Sequence, residues 1–466
     1  MKKYLLLLCL CICVLAIAAL PYRPSAHRLG ITAEQDTPTL PADPFQYEIF
    51  ANPLPDHFFM DSLIFGSFYD PGFDTVLPTM VFNHVETLGR VLFYDKRLSI
   101  DNTVSCASCH LQSVAFADTA ALSLGFNGSL GERNSIGLSN AFAPSMKHFF
   151  WDAGTDTMAT QIKLALESAI EMGMNPDSLK ARIENTTFYP DLYQNAFGDP
   201  TVSVDRSVAA IRSFVLSMIS LRSKYDVGRS GKFEAIETFD NFTPLENQGK
   251  DIFLGISGNA NCASCHQGEL FLSSRVSNNG LDLVSHDPGF GGISQQAQDS
   301  GLFRAPSLRN IALTAPYMHD GRFATLEEVI EHYSSGVKAH PNLDPLLRDP
   351  ENDAPLPLNL DATEKQALLA FLHTLTDSAF IRDVRWSNPF DPNNGADTIP
   401  LDSFSFPLPI EPILGGSELI AAPNPSSREM LLSIPDLAGE PVQIQIFTLN
   451  GQLILSETIV DTGEYL

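Results

Sequence analysis

The sequence predicts a mainly α-helical protein in which two tandem helical domains of similar pattern are followed by a small β-sandwich-like domain. The first observation is that a set of short strings recurs in the same order in two central segments, as in a duplicated domain. The second is that apolar residues at helical spacing accompany both sets. The third is that residues 417–466 alternate apolar with polar residues, which is typical of strands.

The N-terminal segment carries the features of an export signal. Lys2 and Lys3 precede an apolar run that ends in small residues near Ala19. This pattern predicts a signal peptide over residues 1–20, with an uncleaved membrane anchor as the alternative. Residues 21–80 are rich in proline, aspartate and phenylalanine and show little helical periodicity, so we expect an extended N-terminal arm there.

Two compact units follow, predicted over residues 81–240 and 241–386, and they repeat each other. The matched strings, first unit with second unit, are Gly89-Arg-Val-Leu-Phe93 with Gly249-Lys-Asp-Ile-Phe253, Cys106-Ala-Ser-Cys-His110 with Cys262-Ala-Ser-Cys-His266, and Leu138-Ser-Asn140 with Leu308-Arg-Asn310. Because the order of the strings is kept, we expect the two units to be copies of one helical fold.

Helices within the two units are predicted by apolar residues at helical spacing and by capping-box patterns. These patterns predict helices over residues 157–173, 205–225 and 361–375, and helix starts at Thr243-x-x-Glu246 and Thr325-x-x-Glu328.

The C-terminal part changes character. Residues 387–416 contain six prolines and predict a stiff linker. In residues 417–466, alternation on both sides of Asn450-Gly451 predicts a β-hairpin with a tight turn.

The charge balance is strongly acidic, with 29 Lys and Arg against 55 Asp and Glu and a formal net charge of -26. Nucleic-acid binding needs clustered basic residues, so this composition argues against a nucleic-acid partner. An acidic surface attracts basic partners, although a solvated acidic face is the simpler interpretation.

The chain has seven cysteines, of which three fall in the predicted signal peptide and four form two Cys-x-x-Cys-His motifs. In an exported chain this motif predicts c-type haem attachment, with two thioether bonds and an adjacent histidine that binds the iron. We therefore predict two covalently attached haem c groups. Their ligands would be Cys106, Cys109 and His110 for the first, and Cys262, Cys265 and His266 for the second. The alternatives are a zinc site that shares all four cysteines and a thioredoxin-like redox pair.

Three residues after the first motif favour reaction at a haem over electron transfer alone. They are Trp151, Gln161 and Glu171, spaced ten residues apart. A carboxyl group at a haem face can move a proton between the oxygens of bound peroxide, and an amide can orient that peroxide. Residue type alone does not assign these roles, because a surface glutamate and a core tryptophan are ordinary.

Residues of about 80–386 resemble the bacterial di-haem cytochrome c peroxidases and their relatives of the MauG type. Besides both Cys-Ala-Ser-Cys-His motifs, the matching strings are Gly89-Arg-Val-Leu-Phe-Tyr-Asp-Lys-Arg-Leu-Ser99, Phe150-Trp-Asp152, Glu171-Met172 and Ser307-Leu-Arg-Asn-Ile-Ala-Leu-Thr-Ala-Pro-Tyr-Met-His-Asp-Gly321. The resemblance implies two tandem class I cytochrome c-like domains. It also implies that the first haem reacts with peroxide, that Glu171 and Gln161 line the peroxide pocket, and that Trp151 couples the two haems electronically.

The same resemblance implies a calcium ion between the two domains. By position, its ligands would be the Asn134 side chain and the carbonyl oxygens of Thr314 and Pro316, together with water. Oxygen-only ligation suits calcium. Members of the family often form homodimers, although this sequence has no interface signature.

Two departures from the peroxidase pattern concern the iron ligands. Where many of these enzymes have a histidine that caps the first haem, this chain has Phe126, so we expect that haem to be open at rest. His84 and His148 are the alternatives if a loop shifts. Where the typical peroxidase has a methionine that binds the second haem, this chain has Tyr333, as in MauG-type enzymes. We expect a helix over residues 326–335 that points Tyr333 inward. His332 and Met318 are the alternative ligands of the second haem.

The tail resembles the C-terminal sorting domain of the type IX secretion system of Bacteroidetes. The matching strings are Ala422-Pro-Asn-Pro-Ser426 and Val442-Gln-Ile-Gln-Ile-Phe-Thr-Leu-Asn-Gly-Gln-Leu453. Such domains usually continue beyond Leu466, so we expect a truncated copy here. A working tail predicts a cell-surface or secreted protein, whereas a plain accessory β module predicts a periplasmic one.

Three functions remain open at this point. The first is a peroxidase that reduces hydrogen peroxide to water with electrons from a donor such as a small cytochrome or cupredoxin. The second is a MauG-like oxidase of a protein or other organic substrate. The third is a non-catalytic di-haem electron carrier, which would not need Glu171.

Overall fold

The computed structural model of the protein describes residues 37–47, 79–141, 148–391, 442–447 and 453–459. The predicted signal peptide, most of the predicted arm and linker, and the sorting-like domain apart from two strands lie outside these residues. The chain divides into a larger unit, Met1–Ser403, and a smaller one, Phe404–Leu466. Among the described residues, no helix is both long enough and apolar enough to span a bilayer.

The larger unit is mainly helical, as predicted. Its first half contains α1 (Thr79–Tyr94), α2 (Met158–Glu167), α3 (Pro176–Glu184), α4 (Tyr189–Phe197), α5 (Val204–Leu216) and α6 (Lys224–Arg229). Its second half contains α7 (Pro244–Phe253), α8 (Phe290–Ser294), α9 (Leu326–Glu331), α10 (Ala362–His373) and the short strands β1 (Ser273–Ser277) and β2 (Phe303–Ala305). The two strands form an antiparallel pair that is interrupted by an irregularity in register.

The repeated glycine string builds the same helix pair twice. In the first half α1 packs on α5, and in the second half α7 packs on α10. A Cβ atom on Gly89 would lie 1.9 Å from the Ala210 carbonyl oxygen, and one on Gly249 would lie 1.9 Å from that of Ala367. Since these distances are shorter than any van der Waals contact, each helix crossing requires glycine at this position.

The predicted capping boxes are confirmed. Thr243 accepts a hydrogen bond from the backbone N–H of Glu246, whose carboxylate accepts one from the N–H of Thr243, at the start of α7. Thr325 and Glu328 do the same at the start of α9. The helix expected over residues 361–375 is also present, because α10 begins after an Asp361 cap.

Two helices are shorter than predicted, and a serine ends each of them. The helix expected over residues 157–173 ends at Glu167, where the Ser168 hydroxyl accepts hydrogen bonds from the next backbone N–H groups, including that of Glu171. The helix expected over residues 205–225 ends at Leu216, where Ser217 donates its hydroxyl to a carbonyl of the preceding turn. Serine favours such local bonds, which compete with the helix.

Segments beyond the predicted domain limits complete both hydrophobic cores. Tyr225 and Phe239 belong to the buried cluster of the second half, together with Phe253, Phe271 and Phe371. In the first half, the segment after α10 returns to α1. There Arg90 donates to the carbonyl and hydroxyl oxygens of Ser387, Tyr94 donates to the Trp386 carbonyl, and the Phe380 ring packs on Phe116.

The smaller unit contains two described strands, β3 (Val442–Phe447) and β4 (Leu453–Ile459). They pair antiparallel, with Val442 opposite Ile459. The predicted strands are therefore present, while the Asn450-Gly451 turn lies outside the described residues and the sandwich-like domain stays a prediction.

Candidate active site

The first Cys-x-x-Cys-His motif forms a 3₁₀-helical turn, Cys106–Ser108. The backbone N–H of Ser105, just before the turn, donates to the Ser108 hydroxyl at 2.9 Å. Both cysteines are free thiols. The Nδ1 atom of His110 lies 2.8 Å from the Phe116 carbonyl oxygen, which can only accept a hydrogen bond. Nδ1 therefore carries the proton, and Nε2 is left as the nitrogen that can bind a metal.

The second motif repeats this geometry. Its turn is Cys262–Ser264, and Nδ1 of His266 lies 3.2 Å from the carbonyl oxygens of both Phe271 and Pro306. Phe116 and Phe271 hold left-handed backbone angles, with φ of 61° and 51°. Non-glycine residues are rarely found there, and such angles concentrate at functional sites. In each half, the strained residue supplies the carbonyl that orients the histidine.

A cavity of about 390 Å³ adjoins the second motif. Cys262, Cys265 and His266 form part of its wall, and leucine, valine and isoleucine side chains from the α9 and α10 region form much of the rest. Burial raises the pKa of the Cys262 thiol to about 12. The cavity therefore offers two thiols and an imidazole to a largely apolar guest.

Tyr333 and Met318 both lie in the wall of this cavity. The Asn279 side-chain nitrogen lies 3.4 Å from the Tyr333 hydroxyl and 3.5 Å from the Met318 sulfur, so one amide touches both ligand candidates. Burial raises the pKa of Tyr333 to about 12. His332 is instead bonded through Nε2 to the Asn279 carbonyl at 3.0 Å.

Tyr333 lies beyond the end of α9, in a π-helical turn that runs from His332 to Gly336. The continuous α-helix expected over residues 326–335 is therefore wrong in its last turn. Tyr333 still reaches the cavity, because the wider turn continues in the same direction as the helix.

Glu171 lies beside the first motif, in the turn that follows α2. Its backbone carbonyl accepts the N–H of Phe126 at 2.9 Å. Burial raises the pKa of the Cys106 thiol to about 12, with smaller contributions from the charges of Cys109 and Glu171. Partial desolvation raises the pKa of the Glu171 carboxyl, although its side chain stays accessible to solvent. The structure thus brings Glu171 and Phe126 together next to the first motif.

Gln161 is half-buried in the first turn of α2. Among the described residues, no side-chain hydrogen bond joins it to Glu171. The two histidines considered as caps differ in environment: His148 is paired with Asp156 at 2.7 Å, whereas His84 is half-buried on α1.

Trp151 lies in the wall of the cavity at the second motif and connects the two halves. Its indole nitrogen donates to the Asn134 carbonyl oxygen at 2.8 Å, and its own carbonyl accepts the backbone N–H of Arg304 at 2.9 Å. The neighbouring Asp152 accepts a charged hydrogen bond from Arg133, which also binds Asp287 of the second half. Trp151 is therefore tied to the first half through its indole and to the second half through its backbone.

The three residues expected to bind calcium line this same cavity. The Asn134 amide nitrogen lies 3.2 Å from the carbonyl oxygens of Ala120 and Ala121, so its oxygen is the atom left to face a cation. Within the described ranges, no cluster of three or more His, Cys, Asp or Glu side chains could hold a metal. An ion held by Asn134, Thr314 and Pro316 would therefore depend on amide and carbonyl oxygens, which suits calcium.

Comparison with known proteins identifies the family. The family model described as di-haem cytochrome c peroxidase matches residues 83–233. The methylamine utilization protein MauG of Paracoccus denitrificans is 31% identical over 355 residues, which cover 63% of this chain and 88% of that protein. The chain belongs to the di-haem cytochrome c peroxidase and MauG family.

Other relatives carry both kinds of name. The cytochrome-c peroxidase IdrP1 of Pseudomonas sp. (strain SCT) is 29% identical over 323 residues, covering 62% of this chain and 80% of that protein. The crystal structure of a MauG-like protein associated with microbial copper homeostasis superposes with a TM-score of 0.58 at 34% identity, covering 66% of this chain and 93% of the other. Both peroxidases and MauG proteins are thus among the relatives.

Membership of this family implies two c-type haems, and the residues present fit them. Each motif offers two free thiols and a histidine whose Nε2 is available. The cavity at the second motif is apolar and opens beside the thiols, as a porphyrin requires. The prediction of a haem-binding oxidoreductase of this family is therefore confirmed at the family level.

A buried ionic cluster behind the second motif was not predicted from the sequence. Arg309 binds both carboxylate oxygens of Asp226 at 2.8 Å, and Arg229 binds Glu269 at 2.8 Å. All four side chains are buried. The sequence offered one signal for this cluster, a difference between the two repeated units: Ser139 stands in the first unit where Arg309 stands in the second.

Proposed function

We propose that the protein is a di-haem c-type peroxidase that reduces hydrogen peroxide to water with electrons from an external donor. The reaction consumes one peroxide, two electrons and two protons and forms two water molecules. The observation that carries the proposal is the position of Glu171, a carboxyl group of raised pKa beside the first haem motif. An electron carrier would not require a proton-transferring group there.

The chain's own residues would hold the two haems. Cys106, Cys109 and His110 would bind the first in one cytochrome c-like half, and the equivalent residues of the second motif would bind the other. When bound, haem iron supplies the redox chemistry that cleaves the peroxide O–O bond. Proton transfer and positioning remain the work of the protein.

Glu171 would act as both base and acid. Its carboxylate would take the proton from the near peroxide oxygen and return it to the far oxygen, which leaves as water. The raised pKa suits this role, because a group that both accepts and donates works best when its pKa lies near the working pH. Gln161 would orient the peroxide from α2, and Trp151 would connect the first site with the second.

The first site would be open to peroxide at rest. Phe126 occupies the position of the histidine that caps this haem in many peroxidases, and its backbone is bonded to the Glu171 turn. A phenylalanine side chain cannot bind iron. Peroxide could therefore enter without prior reduction of the other haem.

Tyr333 would join His266 in holding the iron of the second haem. It lies in the cavity wall, whereas His332 is already bonded to a backbone carbonyl. Burial keeps the phenol protonated in the protein alone, and a bound ferric ion would favour the phenolate instead. Met318 is the alternative ligand in the same wall.

The Tyr333 geometry also favours a second candidate function, a MauG-like oxidase of a protein or other organic substrate. A phenolate ligand lowers the haem potential and stabilises oxidised states. Oxidising equivalents could then be used on a partner at the protein surface. The two functions share Glu171 and differ in the substrate that supplies the electrons.

Three further features belong to the proposal. The protein would be exported to the periplasm, and reach the cell surface if the type IX sorting-like tail acts. A calcium ion would lie near Asn134, Thr314 and Pro316. Its partner would be a small cytochrome or cupredoxin, and a homodimer is the expected assembly from the family resemblance.

The proposal is tested by measuring peroxide turnover with a reduced small cytochrome in Glu171→Gln, with Glu167→Gln as matched control. Glu167 is an exposed glutamate at the end of α2. We expect Glu171→Gln to lower kcat/KM for peroxide by about 10²–10⁴, with two haems per chain retained, and Glu167→Gln to leave it unchanged. Full turnover in Glu171→Gln would refute the assignment.

The stoichiometry of the donor separates the two candidate functions. A peroxidase should oxidise two reduced cytochrome molecules for each peroxide consumed, because each donates one electron. Peroxide consumption that leaves a reduced cytochrome untouched, but oxidises an added protein or aromatic substrate, would favour the MauG-like oxidase.

A further inference from the structure

Arg304, on β2, is a buried cation in the wall of the cavity at the second motif. Only 7% of the residue is exposed. One guanidinium nitrogen donates to the His148 carbonyl oxygen. The Nε atom is fully buried, and in the part of the chain that the structure describes it has no hydrogen-bond partner. A buried N–H group without an acceptor costs about 1–3 kcal/mol, so its presence calls for a missing acceptor.

The charges around Arg304 point to an anion. The carboxylate that stabilises its charge is that of Asp152. Asp152, however, is already bonded to Arg133, which also holds Asp287. Burial lowers the pKa of Arg304 to about 10, in spite of Asp152. Among the described residues, Arg304 therefore has no carboxylate in direct contact, because the carboxylates near it are bonded to Arg133.

We infer that Arg304 binds a carboxylate of the group that fills the cavity. The inference rests on the proposed function, in which that group is the second haem and the carboxylate is one of its propionates. A guanidinium with a free Nε presents adjacent N–H groups in a planar fork that matches a carboxylate. Arg133, the other arginine near Asp152, already donates to two aspartates.

The same residue also holds the segment that carries Trp151. Its backbone N–H donates to the Trp151 carbonyl at 2.9 Å, and its guanidinium donates to the carbonyl of His148. Arg304 is therefore a positioning residue that ties this segment to the second haem. Loss of the side chain should disturb the second haem and the segment held through the His148 carbonyl, and leave the first haem unchanged.

The test compares the haem-loaded wild type with Arg304→Gln and Arg304→Lys, and with Arg206→Gln as a control that removes the same charge. Arg206 pairs with Asp199 on the surface of the first half. The readouts are the propionate bending mode in resonance Raman spectra and the midpoint potential of each haem by spectroelectrochemistry. Neither depends on turnover.

For Arg304→Gln we expect a shifted propionate mode and a lower potential of the second haem, because a nearby cation disfavours the more positive oxidised form. The expected change in the redox equilibrium is at least tenfold, which is about 59 mV for a one-electron couple. Arg304→Lys keeps the charge but not the fork, so it should keep most of the potential and still shift the mode. Arg206→Gln should match the wild type.

An unchanged propionate mode in Arg304→Lys would overturn the inference, even if Arg304→Gln does not fold. If Arg304→Lys then still carries two haems per chain and turns over peroxide fully, the proposed function is unaffected. A wild-type chain that carries no haem at Cys262 and Cys265 would overturn the proposed function and this inference together.

Discussion

Replacing Arg309 with methionine tests what holds the second haem-binding loop in place. The Arg309 side chain has no exposed surface, and it binds both carboxylate oxygens of Asp226 at 2.8 Å. Its other nitrogens donate to the Glu269 carbonyl oxygen. Glu269 lies between His266 and Phe271, the residue whose carbonyl orients that histidine. Arg309 therefore fixes the loop from behind.

The cost of Arg309→Met follows from these contacts. Removing one partner of a buried ion pair costs about 3–5 kcal/mol, because the other charge is left without compensation. The Glu269 carbonyl also loses both of its arginine donors, which costs about 1–3 kcal/mol. The total is about 4–8 kcal/mol. At about 2–4 °C per kcal/mol, the melting temperature should fall by roughly 10 °C or more.

The assay is thermal denaturation of the haem-loaded protein followed by circular dichroism. The double variant Arg309→Met/Asp226→Leu removes both charges and should recover part of the loss, because a buried pair replaced by apolar residues is often nearly neutral. Arg206→Met removes a half-exposed arginine that pairs with an exposed aspartate and should cost less than about 1 kcal/mol. A double variant as unstable as the sum of its single variants would refute the argument that an unpaired Asp226 causes the loss.

Three further predictions concern the helix crossing and the two haem sites. Gly249→Ala should destabilise the protein by about 1–3 kcal/mol or more in the same melting assay, because the added Cβ would overlap the Ala367 carbonyl. Gly131→Ala is the control, since a Cβ there would have no contact below 3.6 Å. Burial raises the pKa of Glu171, and the protonated carboxyl cannot accept a proton. Peroxide turnover should therefore fall with decreasing pH, and the midpoint of that fall should lie above the ordinary glutamate pKa of about 4.3. If the same midpoint persists in Glu171→Gln, another group causes it. Tyr333→Phe should convert the second haem from low to high spin in electron paramagnetic resonance spectra, and an unchanged low-spin signal would exclude tyrosine as its ligand.

Much of the fold could be predicted because the sequence repeats itself. The glycine strings predicted equivalent elements, and the structure shows two equivalent helix crossings at Gly89 and Gly249. Capping boxes such as Thr243 with Glu246 were predictable because their partners lie three residues apart. In both cases the determining contacts are local or are copied from one unit to the other.

The rest depended on contacts between residues far apart in sequence. Arg309 and Asp226 are 83 positions apart, and Arg304 and His148 are 156 apart. No local sequence pattern indicates which buried charged side chains will pair with each other. The end of α2 was missed for a different reason: apolar spacing continues past Ser168, while the serine hydroxyl takes over the backbone N–H groups.

For the candidate site, sequence alone identified the residue types but not their surroundings. The haem motifs, Glu171 and Tyr333 were found by pattern and resemblance. The structure adds that Tyr333 shares the Asn279 amide with Met318, and that Phe126 is bonded to the turn that carries Glu171. These are tertiary contacts, so only the folded chain could reveal them.

The two halves differ at the positions that determine access and charge. Both halves keep the histidine bonded to a strained backbone carbonyl, since any bound haem needs an oriented ligand. The second half adds buried Arg309 beside its loop and Tyr333 in the wall of the apolar cavity, which together suit a haem held in one state of ligation. The first half has Ser139 in place of the arginine, and Glu171 on a solvent-accessible turn. In the proposed function, a site that admits peroxide and releases water needs that openness, so the divergence of the copies supports placing peroxide reduction in the first half and electron relay in the second.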